Sequence, residues 1–351
     1  MKLVKSKDVS LPMGVLGLTA WADAKRLYAA CMDGAIYECD PATGKVTPLP
    51  DRHESYASGC VLLPDGKTLI SAGYDGCLLW HDLVAKKSIR RVQAHTFWSW
   101  RLALSPDGRR VASSTGQYLA GGEKYEPAAA AEPTVKVFDA LTGELRQSFD
   151  HGPPVTSLAF APDNRHVAGG NLMGEVRVWD VDAGKVAAEF TTPDFTCWGQ
   201  IKSPHYCGGI YGLMFPPDGD TLLCCGMGAM ADPMAGNGKM RWQRWDWRAA
   251  PPKKRDQIRD SDGGTGLMET LAPVPGGGFL MAGRQAQGTW TTAVFAADGK
   301  LVASLDTKSR VTQAVFAPDG RKLYLAATVG QPKPVNGKWG DFGRVHVVDV
   351  V

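Results

Sequence analysis

The side chains best suited to chemistry gather in one stretch of the chain. Cys197, His205 and Cys207 fall within eleven residues of each other, and the pair Cys224-Cys225 follows. Thiolate and imidazole are the natural zinc donors, but the Cys-x9-Cys spacing matches no common zinc signature and there is no Cys-x2-Cys pair. Buried thiols and a loop histidine are therefore the expectation, with no metal. Met227, Met230, Met234 and Met240 come next. Thioethers so closely spaced would suit Cu(I), yet methionine among Gly and Ala more often forms an adaptable apolar surface. Hydrolytic machinery is absent as a motif: the chain holds no Gly-x-Ser-x-Gly, no His-Glu-x-x-His and no Gly-x4-Gly-Lys-[Ser/Thr] phosphate loop. No catalytic residue and no cofactor is expected.

The histidines belong to a different pattern. His53, His95 and His151 stand eleven residues ahead of Pro64, Pro106 and Pro162. Each proline opens a tight turn of one kind: Pro64-Asp65-Gly66, Pro106-Asp107-Gly108, Pro162-Asp163-Asn164, and again Pro217-Asp218-Gly219 and Pro318-Asp319-Gly320. Pro presets φ there, and Gly or Asn tolerates a positive φ. Two degenerate copies, near residues 22 and 273, bring the count to seven. The turns are spaced 42 to 56 residues apart, and self-similarity at such a period is the mark of a repeat architecture. Within a repeat, 155–160 reads as a first strand and 68–73 as a second. Residues 175–179 alternate as a third strand, and 185–190 as an outer one.

These features resemble the WD40 family of β-propellers over essentially the whole chain. The spaced histidines, the Pro-Asp-Gly turns and the Asp closing the third strand (Trp179-Asp180, Phe138-Asp139, His81-Asp82, Val348-Asp349) carry the resemblance. It implies an all-β, seven-bladed β-propeller with four-stranded antiparallel blades, one domain over 1–351. The blades fall at about 13–50, 53–93, 95–150, 151–191, 192–260, 261–306 and 307–351. Residues 1–10 are expected to supply the outer strand of blade seven, closing the ring without a free sheet edge. The family's blade-stapling tetrad of His, Ser or Thr, Asp and Trp is approached by His53, Ser71, Asp75 and Trp80. Blade four keeps His151, Trp179 and Asp180 but offers no Asp in the tetrad position.

The short turns all fall on one face of such a disc, and the long excursions fall on the other: 117–133, 191–209, 226–239, 284–288 and 330–343. Function concentrates in loops held on a rigid scaffold, so the loop-rich face is expected to bind. Trp98, Trp100, Trp198, Tyr206, Trp339 and Phe342 lie in or beside these loops, and either anchor a partner or pack the loops down. Arg101 occupies the first-strand position held elsewhere by Gly59, Ser157, Gly212 and Gln313. It should project into the central channel, free for an anion or paired with a channel acid such as Glu269. His205, Met227, Met230, Met234 and Arg284 complete the candidate surface.

The resemblance implies a non-catalytic scaffold for a protein or peptide. The alternative is a small-molecule or enzymatic site at the channel mouth built from Arg101, His95 and His205. A formal charge of +3 over 351 residues implies no polyanionic partner, and Lys253-Lys254-Arg255 reads as a solvated loop rather than a nucleic-acid site. No apolar stretch is long enough for a membrane helix. Sparse cysteines in strand-like runs fit a reducing interior, so a cytoplasmic monomer is expected.

Overall fold

The computed structural model describes residues 1–21, 23–119, 126–127, 130–195, 209–230, 238–330 and 340–351. Its described strands form seven four-stranded antiparallel units and one two-stranded pair, Tyr118–Leu119 with Glu126–Pro127. Five are separate sheets. Units five and six share one sheet, joined only through the pair Lys239–Thr265. In blade two the order runs Ala57–Leu62, Thr68–Gly73, Cys77–Asp82, Lys87–Gln93 from the inside out. Blade four repeats it with Val155–Phe160, His166–Asn171, Glu175–Asp180 and Lys185–Thr191. First strands touch one another all round, and that of blade seven (Arg310–Phe316) meets that of blade one (Val15–Ala20), so the ring is closed. The chain is a β-propeller.

Closure uses the predicted strand. Leu3–Leu11 pairs antiparallel with Gly343–Val350, the third strand of blade seven. Leu3, Val9 and Leu11 point inward and are buried, while Lys2, Lys5 and Ser10 face water. Asp8 adds a polar latch: its Oδ1 lies 2.6 Å from Nδ1 of His346, whose Nε2 lies 2.9 Å from the Ser309 hydroxyl.

Among the described residues the core consists of seven apolar clusters, each between neighbouring blades. Ile70, Leu78 and Trp80 of blade two, for example, pack on Val111 and Phe138 of blade three. Stacked sheets bury apolar side chains that no single blade could cover alone. On the short-turn face the repeated aspartates set the turns. Asp65 Oδ1 accepts from the amides of Lys67 and Thr68, and Asp82 Oδ1 from those of Val84 and Ala85. Asp40, Asp139 and Asp180 do the same at equivalent positions.

Three details differ from the sequence reading. Lys253–Gln257 is not a loop but the outer strand of blade five, with Lys254 paired to Asp194 and Arg255 to Asp246. Arg284 to Gln287 belongs to the strand Phe279–Gln287 rather than to an excursion. The strands Leu222–Met230 and Gly238–Asp246 likewise run on into what read as loop. In each case cross-strand pairing continues past the point where the apolar pattern stops.

Candidate functional site

Histidine is the first residue type to place, and here it is structural. His53 Nδ1 lies 3.0 Å from Asp75 Oδ1, and its Nε2 lies 2.9 Å from the Ser71 hydroxyl. Burial is the largest single influence and works against ionised Asp75, but the hydrogen bond and charge of His53 together with the backbone amides of Glu54 and Cys77 outweigh it and hold the carboxyl down to about 2. The fourth member is not Trp80. Ser71 instead meets His81 Nε2 at 2.9 Å, while the Trp80 indole donates to the Ala140 carbonyl of blade three at 2.7 Å. The reason is strand periodicity. Aligned on Asp82, the tetrad position is residue 81, and a shift of one residue turns a side chain to the opposite face of the sheet. In blade three, His95 Nε2 lies 2.9 Å from the Ser113 hydroxyl, which removes His95 from any channel site. In blade four, His151 reaches only the Glu175 carbonyl, and Trp179 packs edge-on to it and onto Phe149. Asp180 caps its turn and accepts from Arg165. Burial drives His81, His95 and His151 down to about 4, so all three are neutral near pH 7.

The channel is a cavity of about 120 Å³ whose wall includes Gly59, Arg101, Ser157, Gly212 and Gln313. Arg101 enters it, but its partners are carbonyls rather than a carboxylate. Nε donates to Thr156 O at 3.0 Å, and Nη2 lies 3.4 Å and 3.5 Å from the carbonyl oxygens of Tyr211 and Glu269. The guanidinium thus ties blade three to blades four, five and six, and the anticipated pairing with the Glu269 carboxylate is not made. The Glu269 carboxylate is taken by Arg310 instead, in a two-pronged pair at 2.6 Å and 2.8 Å. This fork-on-fork geometry, with the charge of Glu269 as the main cause, raises the pKa of Arg310 further. Sequence reasoning missed Arg310. A signal was present, since Arg310, Trp98 and Tyr56 each stand eight residues ahead of their turn proline.

That shared position opens onto the loop-rich face, where it builds an aromatic cluster. Tyr74 stacks on Trp98 with centroids 4.5 Å apart and planes 3° from parallel. Trp98 stacks in turn on Phe97 at 4.9 Å, and Trp100 meets both Tyr74 and Trp98 edge-on. Tyr56 flanks Tyr74 at 5.6 Å. Trp100 is pinned, its indole donating to Gly116 O at 2.6 Å. Tyr56 and Trp98 remain 39% exposed, so the outer edge of the cluster faces water. Tyr74 and Trp100 also line the channel mouth beside Arg101, Glu269 and Arg310.

The other candidates disperse. Phe342 is 6% exposed and packs inside, so it is no contact surface. Met240 is in the core, and Met227 is half-buried against Gly238. Arg284 is exposed on the rim between blades six and seven. Cys197, Trp198, His205, Tyr206, Cys207, Met234 and Trp339 lie outside the described residues, as does the side chain of Met230. Among the described residues no group of three or more His, Cys, Asp or Glu side chains could hold a metal ion, and no helix is long and apolar enough to cross a membrane.

Ring closure, stacked four-stranded blades and aspartate-set turns define a repeat propeller. Comparison with known proteins agrees. The model of the WD domain, G-beta repeat family matches residues 143–180. WD repeat-containing protein SL1-17 of Schistosoma mansoni is 22% identical over 50% of this chain and 53% of its own length. The small ribosomal subunit protein RACK1 of Candida albicans is 30% identical over 37% of this chain and 38% of its own. Eukaryotic translation initiation factor 3 subunit I of Bombyx mori is 31% identical over 46% and 44%. The matches thus span about half or less of these relatives. With the fold, they make the chain a WD40-repeat protein.

Proposed function

We propose that this propeller is a non-catalytic platform that binds a protein or peptide across its loop-rich face. The observation that carries the reading is the aromatic cluster, half exposed at Tyr56 and Trp98 and continuous with the charged channel mouth. Large rigid rings beside an arginine are the composition of interface hot spots. The relatives' names support the reading, since two of them are components of assemblies, a ribosomal subunit and an initiation factor. The partner is a protein rather than a nucleic acid: in the basic strand Lys253–Gln257, Lys254 and Arg255 are already ion-paired. The platform acts as a single copy. The cytoplasm is its proposed site, in keeping with six free, buried cysteines among the described residues.

The test is a selection of random displayed peptides on the whole chain, repeated on Trp98→Ala. Melting curves of both proteins check that the variant is folded. Selected peptides should bind the variant about tenfold or more weakly, the loss expected at an aromatic hot spot. Peptides that bind Trp98→Ala as well as wild type would place the contact elsewhere and overturn the reading.

A further inference from the structure

Between blades six and seven, on the same face, lies a pocket of about 480 Å³. Its size falls in the range of ligand sites. Arg284 stands on one wall, on the strand Phe279–Gln287. Lys308 and Arg310 stand on the other, in the connection into blade seven and the strand it opens. Among the described lining residues the one acid is Asp306, and Lys308 holds it at 2.5 Å. Arg310 is held by Glu269 at the pocket's channel side. Arg284 is different: its guanidinium is exposed and makes no ion pair or hydrogen bond among the described residues. The pocket therefore carries two cations already satisfied by acids and one that is unmatched.

The backbone at Lys308 is also unusual. Among the described residues four non-glycine residues have positive φ: Ala24, Lys86, Asn164 and Lys308. The first three occupy short-turn positions where sister repeats have glycine, such as Gly66 or Gly44. Lys308, at φ 55°, has no such counterpart and sits on the loop-rich face. Its amide is held by the Asp306 carboxylate at 3.0 Å. A strained conformation fixed in this way keeps the rim beside Arg284 in one shape.

We propose that this pocket receives the carboxylate of an acidic residue in the peptide bound on the loop-rich face, with Arg284 as its partner. The inference rests on the platform reading. Arg310 links the two regions, since it lines both the pocket and the channel mouth beside Tyr74. A ligand crossing from Trp98 to Arg284 would thus present an apolar or aromatic group at one end and an acid at the other. A planar carboxylate matches the guanidinium fork. A phosphate would match it too, and the experiment separates the two.

Peptides selected on wild type are sequenced, and one is remade with its acidic residue as Glu, Gln or phosphoserine. Each form is titrated against wild type, Arg284→Gln, Arg284→Lys and Trp98→Ala, with melting curves to confirm folding. Selected peptides should be enriched in Asp or Glu. The Glu form should lose about tenfold or more in affinity on Arg284→Gln, the loss expected of a charge-assisted hydrogen bond, and Arg284→Lys should restore part of it. The Gln form should bind wild type and Arg284→Gln equally. Peptides that lack acidic enrichment, or a Glu form indifferent to Arg284→Gln, overturn the inference while sensitivity to Trp98→Ala leaves the platform standing. Tighter binding of phosphoserine than Glu overturns the carboxylate assignment. A selection that enriches nothing overturns the platform reading and this inference with it.

Discussion

Replacing Leu11 by alanine probes how far the ring depends on its closing strand. Leu11 is fully buried and packs in the seam between blades seven and one, against residues such as Val345 and Leu27. Removing a buried leucine costs about 2–5 kcal/mol, because the lost transfer energy adds to a cavity that relaxes only in part. A chain of 351 residues has an unfolding entropy of roughly 0.7 kcal/mol/K at about 2.1 cal/mol/K per residue. A loss of about 3 kcal/mol therefore lowers the melting temperature by about 4 °C. The control is Val4→Ala on the same strand, where the side chain is 39% exposed and the cost should stay within about 0.5 kcal/mol. Urea unfolding followed by tryptophan fluorescence, with parallel calorimetry, compares the two. Deleting residues 1–10 is the stronger form of the same perturbation, because it also removes the Asp8 latch and the burial of Leu3 and Val9. If Leu11→Ala melts with Val4→Ala and wild type, the closing strand is an ornament and the closure argument fails.

Two further outcomes follow from the buried polar groups. His81, His95 and His151 titrate near 4 when folded but near 6.5 when unfolded, so the unfolded chain binds more protons in that window. Stability is therefore lost as pH falls from about 6.5 toward 4. Going from pH 7 to pH 5 should cost a little under about 2 kcal/mol per histidine and roughly 5 to 6 kcal/mol for the three; a melting temperature that is flat over that range would contradict the burial account. The Glu269–Arg310 pair calls for a double-mutant cycle. Arg310→Gln strands a carboxylate whose side chain is only 3% exposed and should cost about 2–3 kcal/mol, the partial exposure of Arg310 holding it below the fully buried range. Glu269→Gln in the same chain should recover at least about 1 kcal/mol, whereas strictly additive costs would mean the pair contributes nothing.

The repeat was legible because its signals are local. A Pro-Asp-Gly turn needs a fixed φ, a side-chain acceptor and a residue tolerant of positive φ, all within four positions, and such chemistry can be read without tertiary knowledge. The third-strand aspartates were legible for the same reason. The tetrad was legible only to within one residue: Trp80 advertised itself by size, yet the two-residue period of the strand gave the inward place to His81. Phe342 misled in a similar way, since a ring near a loop is as ready to pack inward as outward. The channel charges were legible in place, with Arg101 and Glu269 both expected at the channel, but not in their partners. Arg101 is committed to carbonyls from blades four, five and six, and Glu269 to Arg310, across separations of 41 to 168 residues. No spacing rule reaches that far. The aromatic cluster was half legible: Trp98 and Trp100 stood out by type, whereas Tyr56 and Tyr74 join them only through the ring's geometry.

The pairing of Leu3–Leu11 with Gly343–Val350 also has a temporal side. The ribosome makes the first of these strands long before the second. At about 5–20 residues per second, the more than 300 intervening residues take roughly 15 seconds to a minute. Throughout that interval Leu3, Val9 and Leu11 have no sheet to join, and the strand is an unpaired edge of the kind that recruits other chains. Lys2, Lys5 and Lys7 alternate with these apolar residues along the segment and oppose such recruitment by charge. The seventh blade is therefore the last to be completed, whatever order the other six take. A nascent chain stalled before residue 343 would expose both a waiting strand and an unfinished sheet, which makes the strand Gly343–Val350 a checkpoint for the whole ring.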